Sequence, residues 1–301
     1  MFFAACVDLG TESATTYTVS FQTDGGSPIP SVKVTGSTTL DKTLSKTITA
    51  PTKAASGTVT YYFGDWYTVD KETGHTGKTK YDYTKPVTGD MTLYARWYTE
   101  QPADKAALEA LIVRLGDTAD LNHIDVRKIT DMNKLFEDKK TFNGDITGWD
   151  VSDVTDMSGM FTGAEKFNQP VGDWNVSNVT DINSMFYTAY TFNQAIKDWN
   201  VSGVTDMKKI FSNAVKFNQP IGSWGVSNVI NMEEMFNNAS EFNQPIGNWD
   251  VSGVTKMDSM FYIAKAFDQD ISGWTVSQVT DYSFIFGASG ISTAHKPLRF
   301  R

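Results

Sequence analysis

The sequence predicts an α/β fold, in which a small module of strands is followed by a capping helix and a solenoid of stacked coils. Tryptophans recur every 25 residues, each repeat contains an extended segment and a helically spaced segment, and residues near the N-terminus alternate between polar and apolar. A fixed period of about 20 to 50 residues is typical of solenoids, propellers and arrays. The periodic tryptophans are Trp149, Trp174, Trp199, Trp224, Trp249 and Trp274.

Composition and charge narrow the class of protein. The chain has 301 residues, of which 40% are hydrophobic, so general disorder is excluded. No apolar run approaches the ~18–20 residues of a membrane helix. Residues 1–99 hold nine acids and nine bases, whereas residues 100–301 hold 26 acids and 17 bases. Because an acidic surface repels nucleic acid and anionic lipid, we expect no nucleic-acid partner.

Cys6 is the only cysteine, which rules out an intramolecular disulfide. The segment Phe3-Ala4-Ala5-Cys6 resembles the end of a bacterial lipoprotein signal, and this resemblance implies lipidation of Cys6. Only five residues precede Cys6, and a charged region and an apolar region are both missing from them. Two alternatives therefore stay open: either the true start lies upstream, or Cys6 is an ordinary free or buried cysteine. Membrane contact is expected only through this anchor.

After a leader or linker at 1–16, three segments are expected to form strands. They are Tyr17–Phe21, Tyr61–Tyr67 and Met91–Trp97, and Met91, Leu93, Ala95 and Trp97 share one face of the last. Together with the turn at 24–28 and the phrase Thr88-Gly89-Asp90, these segments make residues 17–98 similar to the Listeria–Bacteroides repeat. That family occurs in surface proteins such as the internalins. The resemblance implies a small β-grasp-like (α+β) domain.

A helix is predicted within residues 99–119. Pro102 and Asp104 are expected to open it, and Gly116 to end it. Its apolar face has helical spacing, and we expect that face to cover the open end of the solenoid. The residues of this face are Leu108, Leu111, Ile112 and Leu115.

Residues 120–301 are predicted to form about seven coils, each with one short strand and one short helix. Trp199 and Val201 alternate about Asn200, as in a strand. In the preceding coil, Val179, Ile182, Met185, Phe186 and Ala189 have helical spacing. The last coil degenerates after Phe286-Gly287-Ala288, which predicts a frayed tail or a truncated array.

The phrase Trp149-Asp150-Val151-Ser152-Asp153-Val154-Thr155-Asp156-Met157 continues through Ala164 and identifies the coils by resemblance. They are similar to the 25-residue bacterial surface-protein repeat related to BspA-type leucine-rich repeats, found in mycoplasma and listeria lipoproteins. The resemblance implies a leucine-rich-repeat-like solenoid in an adhesin or a variable surface antigen, outside the cell or on its surface.

No residue pattern predicts catalysis, so we expect neither an enzyme nor a cofactor, and no metal site. The three histidines are far apart in sequence and have no cysteine or clustered acid beside them. The asparagine that recurs from Asn143 to Asn243 fits a buried turn that satisfies backbone groups better than a ligand site.

Residues beside each tryptophan are expected to face solvent on the strand and to form an acidic ladder. This ladder either binds a host or neighbouring-cell protein or glycan, or only keeps the protein soluble. The function predicted is that of a monomeric adhesin-like binding protein. The alternative is a structural surface coat or an antigenically variable spacer. The ladder consists of Asp125, Asp150, Asp173, Asn175, Asp198, Asn200, Asn248 and Asp250.

Overall fold

A computed structural model describes residues 15–35, 38–40, 50–69 and 76–301. The chain divides into two compact units, Met1–Glu100 and Gln101–Arg301.

The first unit contains a mixed five-stranded sheet. Its strands are β1 (Thr16–Gln22), β2 (Val32–Thr35), β3 (Tyr62–Val69), β4 (Thr76–Lys80) and β5 (Met91–Tyr98), in the spatial order β2-β1-β5-β3-β4. Strands β1 and β5 are parallel, and the other pairs are antiparallel.

All three strands predicted in the first unit are present. Their alternation places one row of side chains in a shared core, where Val19, Trp66 and Leu93 are buried. Met91, Ala95 and Trp97 belong to the same core, as their common face predicted. The described residues of this unit contain only sheet and loops, so the α+β class expected for it is wrong there.

The second unit begins with the predicted helix, α1 (Lys105–Leu115). The Asp104 carboxylate accepts a hydrogen bond from the Ala107 backbone N–H at 2.9 Å, which caps the N-terminus. Gly116 ends the helix with a φ of 89°, a conformation that favours glycine. Leu108 and Ile112 are fully buried in the apolar core that the coils share.

Stacked coils make up the rest of the second unit. A single-residue parallel bridge joins Asp131 to Asp156. Equivalent bridges join each following pair of residues 25 positions apart, up to Asp281, so seven equivalent positions are stacked. Phenylalanine rings stack in columns along this axis, with 5.8 Å between the ring centroids of Phe186 and Phe211. Within one coil, the rings of Phe186 and Phe192 stack at 3.8 Å. The 25-residue period therefore places equivalent side chains one above another.

The predicted α/β class is wrong, because the coils contain neither regular strands nor α-helices. The only α-helix in the described residues is α1, and all regular strands there belong to the first unit. The segment predicted as a strand makes a turn, in which the Trp199 N–H donates to the Ile196 carbonyl at 3.2 Å. The segment predicted as a helix is a series of turns, in which the Met185 N–H donates to the Ile182 carbonyl at 3.1 Å.

Two residues of each coil explain why no helix forms. Ser184 and Thr188 have φ values of 55° and 59°, in the left-handed region, and equivalent residues of the other coils do too. The Phe186 N–H between them donates to Ile210 of the next coil at 3.0 Å rather than to its own coil. A series of turns, rather than a helix, therefore produces the spacing of apolar residues that resembles a helix.

The C-terminal tail is ordered against the last coil, so the expected frayed tail is wrong. It contains two 3-10 helices, Thr293–His295 and Leu298–Phe300. The Phe300 ring lies 6.3 Å from the Phe286 ring and 5.1 Å from the Tyr282 ring, between centroids. Phe300 therefore covers the end of one phenylalanine column.

Candidate functional site

The residues of the acidic ladder lie on turns rather than on a sheet, because the coils contain no regular strand. Asp150 is half-buried, whereas six others of the ladder have exposed side chains, as predicted. These six are Asp173, Asn175, Asp198, Asn200, Asn248 and Asp250.

Asp125 does not belong to the exposed ladder. Its side chain is only 1% exposed. One carboxylate oxygen accepts from Arg127 Nε, and the other accepts from Arg127 Nη2 and Gln101 Nε2, each at 2.8 Å. Burial raises the pKa of Asp125, but the hydrogen bonds and the positive charge of Arg127 hold that pKa below its usual value. Asp125 therefore joins the start of the coil array to the segment before α1.

The ladder residues that directly follow a tryptophan stabilise the turns on which they lie. The side-chain oxygen of Asn175 accepts the Ser177 N–H at 3.1 Å, and that of Asn200 accepts the Ser202 N–H at 3.2 Å. Asp250 accepts both the N–H and the hydroxyl of Ser252, which lowers the pKa of its carboxyl. Such contacts between a side chain and the backbone two residues later are typical of Asx turns. These oxygens are therefore already engaged within the protein.

The ladder residues that directly precede a tryptophan are more available to a partner. Asp173 and Asn248 are exposed and make no side-chain hydrogen bond in the part of the chain that the structure describes. Asp198 is exposed and has one carboxylate oxygen 3.9 Å from Lys197 Nζ. An exposed ion pair at that distance contributes little, so the Asp198 carboxylate can exchange partners.

The recurring asparagines satisfy backbone groups, as predicted. Asn168 Oδ1 accepts the Asn193 N–H at 2.9 Å and Gln194 Nε2 at 3.0 Å. The same contact recurs along the array, and at its end Asp268 Oδ1 accepts the Ser292 N–H at 2.7 Å. These side chains therefore join one coil to the next.

Sequence reasoning missed two features of the second unit. One is the hydrogen-bonded cluster of buried Asp125 with Arg127 and Gln101, whose only sequence signal is a short spacing between acid and base. The other is a row of backbone N–H groups in the last coil that have no acceptor among the described residues. Its only sequence signal is that residues 282–301 contain no acid in an otherwise acidic chain. Cys6 lies outside the described residues.

Stacked coils with rows of exposed polar side chains define a repeat protein. Parts of its sequence match two protein-family models. Residues 108–214 and 191–296 match the model described as "Mycoplasma protein of unknown function, DUF285". These ranges cover more than half of the chain, so the protein belongs to that family. Residues 17–96 match the Listeria-Bacteroides repeat domain.

The protein is thus a bacterial surface repeat protein, located at the cell surface or outside the cell. Neither a curated protein nor a solved structure matches the chain. In the described residues, no helix combines the length and the apolar character that crossing a bilayer requires.

Proposed function

We propose that this surface protein is a non-catalytic, monomeric binding protein whose coil array contacts a protein or glycan of a host or neighbouring cell. One observation supports the proposal most: polar side chains next to successive tryptophans are exposed along the array, and several of them have no strong partner among the residues that the structure describes. A long stack of equivalent coils suits contacts that are individually weak and collectively strong.

The predicted contacts are concentrated on the residues that precede each tryptophan. Asp173, Asp198 and Asn248 stabilise no turn, so they are free to contact a partner. Asn175, Asn200 and Asp250 contribute mainly to the turns that hold the first set in place. The relationship to leucine-rich repeats and the adhesin role both rest on the resemblance of the repeat phrase.

The test combines a binding screen with a triple variant. The array is screened against extracellular-matrix proteins and glycans, and any hit is re-measured with D173K/D198K/N248K. We expect this variant to lose binding, because it replaces one row of partner contacts with positive charge, whereas Asp173→Ala alone weakens binding less than about threefold. The unfolding midpoint of both variants is expected to stay close to that of the wild type, because neither removes a turn contact.

A control variant introduces the same number of lysines elsewhere on the coils, as Y190K/S240K/A266K. Equivalent sites in other coils already hold lysine, at Lys140, Lys265, Lys166 and Lys216, so the fold accepts it. Unchanged binding by the ladder variant, or an equal loss in the control, would show that the ladder is not the contact surface. A screen without any hit would favour the alternative, a structural coat or variable spacer.

We also propose a lipid anchor at Cys6, supported by the small residues that precede it. Protein isolated from its native membrane is expected to carry diacylglycerol on Cys6, detected by mass spectrometry of the N-terminal peptide. The variant Cys6→Ser is expected to move from the membrane fraction to the medium. An unmodified Cys6 in membrane-derived protein would contradict the anchor.

A further inference from the structure

One recurring set of backbone hydrogen bonds between coils runs in the same direction along the stack. In this set, N–H groups of one coil donate to carbonyl oxygens of the next, as for Met132 and Asp156, 2.9 Å apart. There are four such bonds from each of these coils except the one that contains Ser184, which has three. In the coil before the last, the four donor–acceptor distances lie between 2.7 and 2.9 Å. These pairs are Met257 with Asp281, Ser259 with Ser283, Phe261 with Ile285, and Ile263 with Gly287.

The last coil has the same four donors, and the described residues after it form no further coil. The N–H groups of Tyr282, Phe284, Phe286 and Ala288 donate to no acceptor within the residues that the structure describes. Tyr282, Phe284 and Ala288 are exposed, and Phe286 is half-buried. We call these four N–H groups the open edge. A row of unpaired backbone groups at an edge is a template for another chain.

The opposite end of the stack is covered. There, the carbonyl oxygen of Asn133 accepts a hydrogen bond from Lys105 Nζ of α1. The equivalent oxygen in the next coil, that of Ser158, accepts the Lys134 N–H from the coil before it. Because Lys105 occupies this acceptor and α1 covers the first coil, the first coil of a second copy does not fit onto the open edge.

The charges and the apolar side chains near the open edge indicate which kind of partner would fit it. Residues 282–301 contain three basic residues, Lys296, Arg299 and Arg301, and no acid, although the whole chain has a net charge of −9. Lys296 Nζ lies 5.3 Å from the Phe286 ring centroid, and the Arg299 guanidinium lies 5.4 Å from that of Tyr282. Two cations of the tail therefore lie against the rings of two residues of the open edge.

Two large apolar side chains in the same C-terminal segment are exposed to solvent. Phe284 is 74% exposed and Leu298 is 79% exposed. A partner with carbonyl oxygens, carboxylates and apolar side chains would satisfy all three kinds of group at once.

We propose that the open edge binds an extended, acidic polypeptide segment of a partner protein. Carbonyl oxygens at every second residue of that segment accept the N–H groups of Tyr282, Phe284, Phe286 and Ala288, as the carbonyls of a further coil would. Acidic side chains of the segment lie near Lys296 and Arg299, and its apolar side chains pack on Phe284. Such addition of a chain to an edge gives affinity through the backbone and specificity through side chains.

The test uses a synthetic peptide with the sequence of residues 279–288, extended by two glutamates. Its carbonyls have the spacing that the coil before the last already accepts. We expect the amide protons of Tyr282, Phe284 and Ala288 to exchange rapidly in the free protein and to gain protection when the peptide is added, in NMR hydrogen-exchange spectra. A peptide with lysines in place of the two glutamates is expected to bind about tenfold more weakly.

Two variants separate binding from folding. Phe284→Ser removes the exposed ring but keeps the fold, because Ser184 and Ser259 hold the equivalent left-handed positions. It is expected to weaken peptide binding about tenfold. The control Ile230→Thr removes an apolar side chain that is 52% exposed in mid-array, at a site where neighbouring coils have threonine, and is expected to leave binding unchanged.

Each contrary outcome overturns the proposal. Amide protons of the open edge that gain no protection with peptide would show that the edge does not pair. Protection that rises with protein concentration alone would make a second copy the occupant. Equal affinity for the lysine peptide would remove the acidic preference. Because the ladder lies elsewhere on the coils, D173K/D198K/N248K is expected to retain peptide binding whether or not the ladder binds its own partner.

Discussion

Replacing Trp199 with alanine is expected to lower the free energy of unfolding by about 3–5 kcal/mol. The indole is only 3% exposed, in the middle of the array, with its ring centroid 6.2 Å from that of Phe186. The indole N–H donates a hydrogen bond at 3.1 Å to the carbonyl of Val171, which lies 28 residues earlier in the sequence. The substitution therefore leaves both a cavity and an unsatisfied buried carbonyl.

Chemical denaturation followed by circular dichroism measures this cost, with Trp274→Ala as the matched variant. Trp274 donates the same hydrogen bond, to Ile246 at 3.1 Å, but it belongs to the last coil and is 6% exposed. Because no further coil packs on it, the structure there can relax, and we expect a cost about 1 kcal/mol smaller. Equal costs at both sites would contradict the idea that the stacking of neighbouring coils sets the stability of each indole.

Replacing Arg127 with methionine is expected to lower the free energy of unfolding by about 2–3 kcal/mol at pH 7. Methionine keeps much of the apolar stem but removes the guanidinium that bonds to both oxygens of Asp125. The carboxylate is then left buried, with Gln101 and the backbone N–H of residue 127 as its remaining donors. A buried charge without its partner is unfavourable.

The pH dependence of this variant gives a second readout. The pKa of Asp125 in the folded protein is below its usual value, so its stabilising contribution is complete above the unfolded pKa of about 3.9 and is lost as the pH falls through the folded pKa. The difference between the wild type and Arg127→Met is therefore expected to be largest near neutral pH and to shrink below pH ~3.9. The measurement is denaturant unfolding at several pH values.

The double variant D125N/R127M is the control for this prediction. It removes the buried charge together with its partner, and we expect it to be more stable than Arg127→Met at pH 7 and to show a weaker pH dependence. If Arg127→Met cost the same at neutral and acidic pH, the carboxylate would not be the source of the effect.

Much of the second unit could be predicted from residue spacing. The 25-residue period placed the six periodic tryptophans in one core and brought equivalent residues together. Asp104 and Gly116 correctly bounded α1, because capping depends on local groups. In the first unit, β1, β3 and β5 were predictable because alternation in a half-buried strand depends only on neighbours in sequence.

The secondary structure of the coils and the exact members of the ladder could not be predicted in the same way. Apolar residues at three- and four-residue intervals occur both in a helix and in successive turns, and left-handed residues such as Ser184 and Thr188 have no distinctive side chain. Asp125 resembles the exposed ladder in sequence, but Gln101 and Arg127 enclose it.

The sequence by itself determined that equivalent residues repeat, which of them are apolar and which surface family the chain belongs to. Only the tertiary structure decided where the backbone N–H groups point. In a helix these groups would all bond within one coil, whereas here one set of them bonds to the next coil, so in the last coil that set has no acceptor among the described residues. The physical reason is that hydrogen bonds between coils depend on stacking, and stacking is a relation between residues about 25 positions apart.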